Sequence, residues 1–260
     1  MQTNTLYSSP QWQEILQHNN LNTFADWWQL ELDAVDEGNT GRGGWSKVAI
    51  HALELPDGGQ RRVVIKRQCN YRSRTLRHLL RGVATFEKEY NFIRLYQQCG
   101  VPATTAVYCA TRQDNGDLQA ILVTEFMDEH RSLLDIIDAT DQGATLPRTE
   151  RDAIIRCMAR LLRRLHQHHI AHRCLYPKHI FIPTDPDNGQ ARLIDLEKSR
   201  RIPWRNNCAI SDLATFGRRT LCINSRDIVV FLRTYCDCPR LDNKARRLYA
   251  AITKRISGKR

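Results

Sequence analysis

The stretch that decides the fold is His172-Arg-Cys-Leu-Tyr-Pro-Lys-His-Ile-Phe-Ile182, which is followed by Leu193-Ile-Asp-Leu-Glu197. A strong amphipathic helix, predicted over residues 149–169, leads into the first stretch. Each stretch contains a short apolar run that predicts a strand, and a turn separates the two runs. Asp195 interrupts the second run. Because an unpaired carboxylate is costly to bury, this aspartate is predicted to have a task, the alternative being a cap at the strand end.

The spacing of the polar residues in these two stretches is typical of kinases. A kinase places a catalytic base after a helix, a metal ligand five residues later and a metal-binding aspartate on the next strand. In this chain the base position is Cys174, the next metal-ligand position is His179, and Asp195 takes the third position. The pattern predicts a protein-kinase-like site for ATP and Mg²⁺.

A glycine-rich segment near the N-terminus fits the same fold. Gly41-Arg-Gly-Gly-Trp-Ser-Lys-Val48 matches the pattern G-x-G-x-x-S-x-V at the entry to a predicted β-hairpin. Glycines allow backbone N–H groups to approach phosphates closely, although most glycine-rich turns have no ligand. The candidate nucleotide-binding residues in this segment are Gly41, Gly43, Gly44 and Ser46.

A lysine in the second strand of that hairpin is the next candidate. Val63-Val-Ile-Lys66 places Lys66 where a strand lysine can hold the α- and β-phosphates of ATP, the alternative being a lysine that faces solvent. Such a lysine needs a carboxylate to orient it. A helix predicted over residues 75–98 offers Glu87 and Glu89, of which Glu89 is preferred and Glu87 is assigned to a solvated face.

The remaining patterns predict an α+β, bilobal, protein-kinase-like fold in one domain spanning residues 1–260. Residues 10–30 are predicted to be helical, and strands are predicted at 45–55, 62–67, 104–110 and 118–126. This strand-rich N-lobe extends to about residue 126. A helix-rich C-lobe follows over approximately 127–260.

Taken in order, these motifs resemble the bacterial lipopolysaccharide core kinases of the WaaP and InaA type. The likeness covers roughly residues 40–236. It also includes Trp204-Arg-Asn206, Ser211-Asp-Leu-Ala214 and Phe231-Leu-Arg-Thr-Tyr235. The run Tyr176-Pro-Lys-His-Ile-Phe181 and the run Ile194-Asp-Leu-Glu-Lys198 resemble the InaA branch in particular.

The resemblance implies an ATP- and Mg²⁺-dependent kinase that phosphorylates a heptose or Kdo residue of the inner core at the cytoplasmic face of the inner membrane. It implies that Lys66 holds the phosphates, that Glu89 orients Lys66, and that Glu125 lies near the segment that contacts adenine. His179 and Asp195 are then the metal ligands. The remaining implied site residues are the catalytic-loop residues His172 and Arg173, the loop-bracing Asp212, and Trp204 and Arg205, for which acceptor recognition and simple loop packing are both open.

Cys174 departs from the pattern of the heptose kinases, which have aspartate after His-Arg. A neutral thiol is a poor proton acceptor compared with a carboxylate, and general base catalysis contributes about 10²–10⁴-fold. Two interpretations stay open. The chain is a working kinase with another base or none, with His172 and Asp185 considered as replacements, or it is a pseudoenzyme that binds nucleotide or lipid.

Composition limits the other function classes. The 260 residues carry a net charge of +11, which favours partners that bear phosphate. No zinc-finger, RRM or helix-turn-helix signature is present, so nucleic acid is not the expected partner. The nine cysteines lack zinc-site spacing, which predicts reduced thiols in the cytoplasm. The basic amphipathic stretch 244–256 predicts a possible peripheral contact with the anionic inner membrane.

Overall fold

The structure is a computed structural model that describes residues 2–32, 39–41, 44–75, 78–220 and 223–258. It divides into two compact units. The N-terminal unit comprises Met1–Arg94 and Thr104–Asp128, and the C-terminal unit comprises Leu95–Ala103 and Glu129–Arg260. The sequence predicted the change from a strand-rich to a helix-rich part near residue 126. The assignment of both parts to one kinase-like domain stays a prediction.

The N-terminal unit is built on antiparallel strands. Its helices are α1 (Gln13–His18), α2 (Phe24–Gln29) and the first part of α3 (Thr85–Gln98). Its strands are β1 (Gln2–Ser8), β2 (Asn39–Gly41), β3 (Gly44–Glu54), β4 (Gln60–Cys69), β5 (Arg72–Thr75), β6 (His78–Ala84), β7 (Ala106–Asp114) and β8 (Asp117–Glu125). Six of the strands form one sheet in the order β1-β7-β8-β4-β3-β2, and β5 pairs with β6.

Local sequence explains the long hairpins of this sheet. Gly58 and Gly59 adopt φ values of +93° and +88° in the turn between β3 and β4, a region in which only glycine is unstrained. Asn115 and Gly116 make the corresponding turn between β7 and β8. One face of the sheet packs against α1 and α2 in a core that includes Trp12, Trp27, Leu53, Ile65, Tyr108 and Ile121.

The helix predicted over 75–98 is shorter in the structure. It begins at Thr85, and residues 78–84 form strand β6 instead. One local and one distant feature explain the late start: Gly82 is a poor helix residue, and the buried Gln68 side chain on β4 accepts a hydrogen bond from the Phe86 N–H at 3.2 Å. The edge strand β1 was not predicted either, because it is defined by backbone pairing with β7 and has no apolar alternation of its own.

The C-terminal unit is mainly helical. Its helices are α4 (Leu133–Asp141), α5 (Arg148–Gln167), α6 (Arg205–Gly217), α7 (Ser225–Cys236) and α8 (Asn243–Ser257). Its strands are β9 (His130–Ser132), β10 (Ile170–Ala171), β11 (Ile180–Pro183), β12 (Arg192–Leu193) and β13 (Arg200–Arg201), which pair as β12-β11-β9 and β10-β13. Within the described residues, no helix has the length and apolar character needed to cross a membrane.

Helix α5 is the centre of this unit. Its apolar face is buried, with Met158, Leu161, Leu162 and Leu165 among its members. At its start, Arg148 and Arg151 each approach a carboxylate oxygen of Asp227 on α7 at 2.7 Å. The ion pairs join the two helices, and the helix then leads directly into the decisive stretch that contains His172.

The strand predicted at 193–196 ends earlier than expected. Strand β12 stops at Leu193, and Asp195 has a left-handed backbone with φ of +59°. A short 3-10 helix, Leu196–Lys198, follows immediately. Aspartate tolerates this conformation better than most residues do, so Asp195 allows the chain to turn sharply at this point.

Candidate active site

In the N-terminal unit, Lys66 on β4 is paired with Glu89 on α3. The Lys66 ammonium nitrogen lies 2.7 Å from Glu89 Oε1. Glu89 is only 1% exposed, and the Lys66 side chain is also largely removed from water. Because a buried charge is costly without a partner, the pair fixes the position of the ammonium group. Glu87, the alternative carboxylate, is half-buried on the same helix.

The described residues of the glycine-rich segment lie on β2 and β3, which pair with each other. Gly41 pairs with Gly44, and Ser46 pairs with Asn39 and Gln68 on the neighbouring strands. A Cβ at Gly44 would overlap the Cys69 carbonyl oxygen and stand 2.8 Å from the Asn70 carbonyl carbon. Gly44 is therefore required by packing against β4. Gly43 lies outside the described residues, and phosphate binding by this segment stays a prediction.

Glu125, at the end of β8, has structural partners in the same unit. The Trp12 indole N–H donates to its Oε1 at 2.8 Å, and Arg61 lies 3.7 Å from the same oxygen. The Glu125 backbone N–H donates to the Thr105 carbonyl at 2.9 Å. The carboxylate thus holds α1 against the sheet, and proximity to adenine stays a prediction.

In the C-terminal unit, Asp212 on α6 holds the loop that contains His172 and Arg173. Its carboxylate accepts the backbone N–H of His172 at 2.6 Å and that of Arg173 at 2.8 Å, and the His166 ring lies 3.3 Å away. Asp212 is completely buried. Arg173 adopts a left-handed backbone with φ of +66°, which is unfavourable for arginine and is held in place by these bonds.

The replacement bases considered from the sequence already have partners. The buried His172 ring donates from Nε2 to the Ile194 carbonyl at 2.9 Å, and its Nδ1 accepts the Cys174 N–H at 3.3 Å. Both ring nitrogens are therefore engaged. The Asp185 carboxylate accepts hydrogen bonds from the Asn188 side chain and backbone, which lower its pKa and make it a weaker base.

His179 and Asp195 come together as the sequence pattern predicts for two metal ligands. His179 Nδ1 lies 2.8 Å from the Cys174 carbonyl oxygen, and its Nε2 lies 3.2 Å from Asp195 Oδ2. Burial is the main cause that lowers the pKa of His179 to about 4, against opposing contributions from Asp195 and Cys174. The Asp195 side chain is 32% exposed, so a ligand can reach it.

The donor set fits a divalent metal ion. A neutral imidazole nitrogen and a carboxylate oxygen are both metal ligands, and here they lie side by side. Among the described residues, no group of three or more His, Cys, Asp or Glu side chains is arranged to hold a metal. A metal at this pair therefore needs further ligands from bound phosphate or water, as is usual for metals in phosphoryl-transfer enzymes.

Lys198 is a functional candidate that the sequence analysis missed. Its ammonium group lies close to the Cys174 side chain and near Glu197 and Asp195. Burial lowers the pKa of Lys198, but these three neighbours together raise it above the usual lysine value. The lysine follows Asp195 by three residues, and the left-handed turn at Asp195 brings it back toward Cys174. The run Ile194–Lys198, which resembles the InaA branch, includes Lys198, but nothing in this run indicates that the lysine lies near Cys174.

Trp204, Arg205 and helix α8 are the remaining candidates from the sequence. Trp204 precedes α6 and is 69% exposed, so it is not buried by loop packing. The backbone of Arg205 begins α6, and its side chain lies outside the described residues. Helix α8 buries Ala245 and Ile252 within its own unit, so its basic side chains rather than its apolar face are available to a membrane.

Four histidines, His166, His168, His169 and His172, lie close together in the sequence, and the contacts of two of them do not support a zinc site. His166 Nδ1 lies 2.9 Å from the Tyr235 hydroxyl, and its Nε2 faces Asp212. His172 is engaged as described above. The two histidines thus serve the hydrogen-bond network around the loop.

Comparison with known proteins assigns the chain to a family. Residues 25–235 match the sequence model of the "Lipopolysaccharide kinase (Kdo/WaaP) family". Protein InaA of Escherichia coli (strain K12) is 29% identical over 180 residues, which are 68% of this chain and 79% of InaA. The solved structure "WaaP in complex with acyl carrier protein" covers 99% of both chains with a TM-score of 0.64 at 22% identity.

The chain therefore belongs to the lipopolysaccharide kinase (Kdo/WaaP) family, whose members are phosphotransferases. The structural match extends over the whole chain, which confirms the predicted α+β kinase-like fold. The predicted family and the likeness to InaA are confirmed as well.

Proposed function

We propose that the protein is an ATP-dependent sugar kinase that phosphorylates a heptose or Kdo residue of the lipopolysaccharide inner core. The single observation that carries the proposal is the buried Lys66–Glu89 pair at 2.7 Å. In protein kinases an equivalent lysine–glutamate pair must be in place for catalysis. A chain without nucleotide chemistry has no need to bury this pair, which costs desolvation energy.

Each unit supplies a separate part of the chemistry. Lys66 neutralises the α- and β-phosphates, and Glu89 keeps its ammonium group in position. Asp195 and His179 would hold the metal ion, and Asp212 fixes the conformation of the loop that carries Arg173. The metal, when bound, neutralises charge on the phosphates during transfer. The Lys198 ammonium adds a further positive charge beside Asp195.

The reaction is a single displacement at phosphorus. A hydroxyl oxygen of the acceptor sugar forms a bond to the γ-phosphorus of ATP, the bond from that phosphorus to the bridging oxygen breaks, and ADP leaves. The hydroxyl proton passes to solvent or to a phosphate oxygen, because Cys174 offers no carboxylate. Phosphoryl transfer depends mainly on positioning and charge neutralisation, so turnover survives the loss of the base at a reduced rate.

The test is transfer of radioactive phosphate from [γ-³²P]ATP to dephosphorylated inner-core lipopolysaccharide. We expect transfer by the unmodified chain and none by Asp195→Ala. The matched control is Asp187→Ala, which removes a carboxylate that is 65% exposed and remote in function. Equal transfer by Asp195→Ala would remove Asp195 from the chemistry and contradict the proposal.

The second candidate is a pseudoenzyme that binds nucleotide without efficient transfer. The observation that favours it is Cys174, which is buried at the base position and lies close to Lys198. This candidate predicts thermal stabilisation by ATP and no acceptor-dependent turnover. Any turnover that depends on Asp195 excludes it.

Acceptor recognition is proposed for the exposed surface at Trp204, and for Arg205, which follows it in the chain. An exposed indole can stack on the apolar face of a sugar ring, and exposed Arg200 and Arg201 on β13 precede it in the chain. Such a surface suits an anionic glycolipid at the cytoplasmic face of the inner membrane. Trp204→Ala is expected to raise the KM for the acceptor without changing ATP affinity.

An acyl carrier protein is proposed as a partner, because the solved WaaP structure contains one. The supporting observation is an apolar cavity of about 350 Å³ in the C-terminal unit, which suits an acyl chain. Its lining includes Leu133, Ile137, Ile155, Phe216, Phe231 and Ile252. Co-purification with acylated carrier protein, and its loss in Ile155→Trp, is the expected result. If Ile155→Trp retains the carrier protein as well as the unmodified chain does, the cavity is not the binding site.

A further inference from the structure

We infer that the pair formed by His179 and Asp195 selects a first-row transition-metal dication such as Mn²⁺ in preference to Mg²⁺. The inference rests on the proposed function, because it concerns the metal that accompanies the nucleotide. It goes beyond that function by assigning the class of metal from the donor atoms of this chain.

The hydrogen bond to Cys174 determines which nitrogen of His179 is free. A carbonyl oxygen can only accept, so the contact of 2.8 Å between His179 Nδ1 and the Cys174 carbonyl requires a hydrogen on Nδ1. A neutral ring then carries its lone pair on Nε2. This is the arrangement found for metal-binding histidines, in which the second nitrogen donates to a carbonyl or carboxylate and fixes the orientation of the ring.

The lone pair on Nε2 is directed toward a second acceptor. Asp195 Oδ2 lies 3.2 Å from Nε2, and neither atom has a hydrogen to donate when the ring is neutral. Two facing lone pairs at this distance repel each other, and either a proton on Nε2 or a metal ion bound by both atoms removes the repulsion. Neighbouring ligands of an octahedral metal with bonds of about 2.1–2.2 Å are about 3 Å apart, so the observed separation suits a shared metal.

The ring is also held rigidly. The centroid of the His179 ring lies 5.4 Å from that of the Tyr176 ring and 5.9 Å from that of the His172 ring. His179 itself is buried. A rigid imidazole cannot turn aside to let a carbonyl or a water molecule take its place in the coordination shell.

The donor type then decides which metal is favoured. Mg²⁺ prefers oxygen ligands and binds imidazole nitrogen poorly, whereas affinity for nitrogen rises from Mn²⁺ through the later first-row metals. An amide oxygen in the same position, as in protein kinases, suits Mg²⁺. The change from an oxygen to a nitrogen donor therefore shifts the preference of the site away from Mg²⁺.

The experiment measures metal binding rather than activity. The full chain is saturated with a non-hydrolysable ATP analogue and titrated with Mn²⁺, which is followed by electron paramagnetic resonance, and Mg²⁺ is used as competitor. We expect the preference for Mn²⁺ to exceed that of the free analogue by about tenfold or more. Histidine labelled with ¹⁵N is expected to change the electron spin-echo modulation, because His179 is bonded to the metal.

The matched variant is His179→Asn, which restores an oxygen donor. It is expected to remove the ¹⁵N effect and to return the metal preference to that of the free analogue. An unmodified chain that shows no ¹⁵N effect, or no added preference, overturns the inference even if the variant fails to fold. If Mg²⁺ binds normally in that case, the proposed kinase function stands. If the chain binds neither nucleotide nor metal, both are wrong.

Discussion

The network around Asp212 allows a sharp prediction about the loop that carries Arg173. We consider Asp212→Ala and the nearly isosteric Asp212→Asn. The carboxylate is completely buried and accepts two backbone N–H groups at 2.6 Å and 2.8 Å. Alanine leaves both donors without an acceptor, and asparagine replaces one oxygen with an NH₂ group that cannot accept.

The magnitude follows from the cost of an unsatisfied buried donor, which is about 1–3 kcal/mol per group. Two such groups give a loss of about 2–6 kcal/mol for Asp212→Ala. Part of this is recovered because Arg173 is released from its left-handed backbone, which costs about 1–2 kcal/mol. We therefore expect a loss of about 1–4 kcal/mol for alanine and about 1–3 kcal/mol for asparagine.

The assay is urea unfolding followed by tryptophan fluorescence, together with phosphate transfer at a temperature where the variants remain folded. Each variant is expected to lose a larger fraction of its phosphate-transfer rate than of its free energy of unfolding, because the loop loses its conformation before the unit unfolds. The control is Asp187→Ala, whose exposed pair with Arg156 is worth about 0–1 kcal/mol. If Asp212→Asn changes stability by no more than the control and leaves transfer intact, the bracing role is wrong.

Two further predictions concern the units separately. Gly44→Ala is expected to destabilise the chain by about 1–3 kcal/mol, because its Cβ would overlap the Cys69 carbonyl; a thermal melt unchanged from that of the unmodified chain would contradict this. Burial raises the pKa of Asp227, but its hydrogen bonds, chiefly from Arg151, outweigh burial and lower it overall. Asp227→Asn should therefore reduce stability at pH 7. The difference should begin to shrink as the pH falls through about 4, where the carboxylate of the unfolded chain takes up a proton, and it should vanish below the lowered pKa of the native carboxylate. A difference that is constant with pH in urea titrations would refute the ion pair.

Some parts of the site could be predicted because local sequence determines them. Lys66 is placed by its strand, and Glu89 by the 3.6-residue period of its helix, so their pairing follows from two regular elements. The spacing between Cys174 and His179 similarly depends on a short segment with a proline. The hairpin turns were visible because glycine and asparagine occur where left-handed backbone is required.

Other parts depended on contacts that are distant in the sequence. The start of α3 is determined by Gln68 on β4, which no local pattern around Thr85 indicates. The position of Lys198 depends on the left-handed turn at Asp195, where the sequence predicted a continuing strand. The hydrogen bond from the Trp12 indole to Glu125 joins two residues that are 113 positions apart in the chain.

The central claim is that this chain transfers phosphate although cysteine occupies the base position. The most direct measurement is single-turnover transfer from [γ-³²P]ATP to dephosphorylated inner-core lipopolysaccharide, with the unmodified chain beside Cys174→Asp. We expect measurable transfer by the unmodified chain and a rate about 10²–10⁴-fold higher for the variant, in which a carboxylate can accept the sugar proton. No transfer by the unmodified chain, with ATP bound, would contradict the claim and identify a pseudoenzyme.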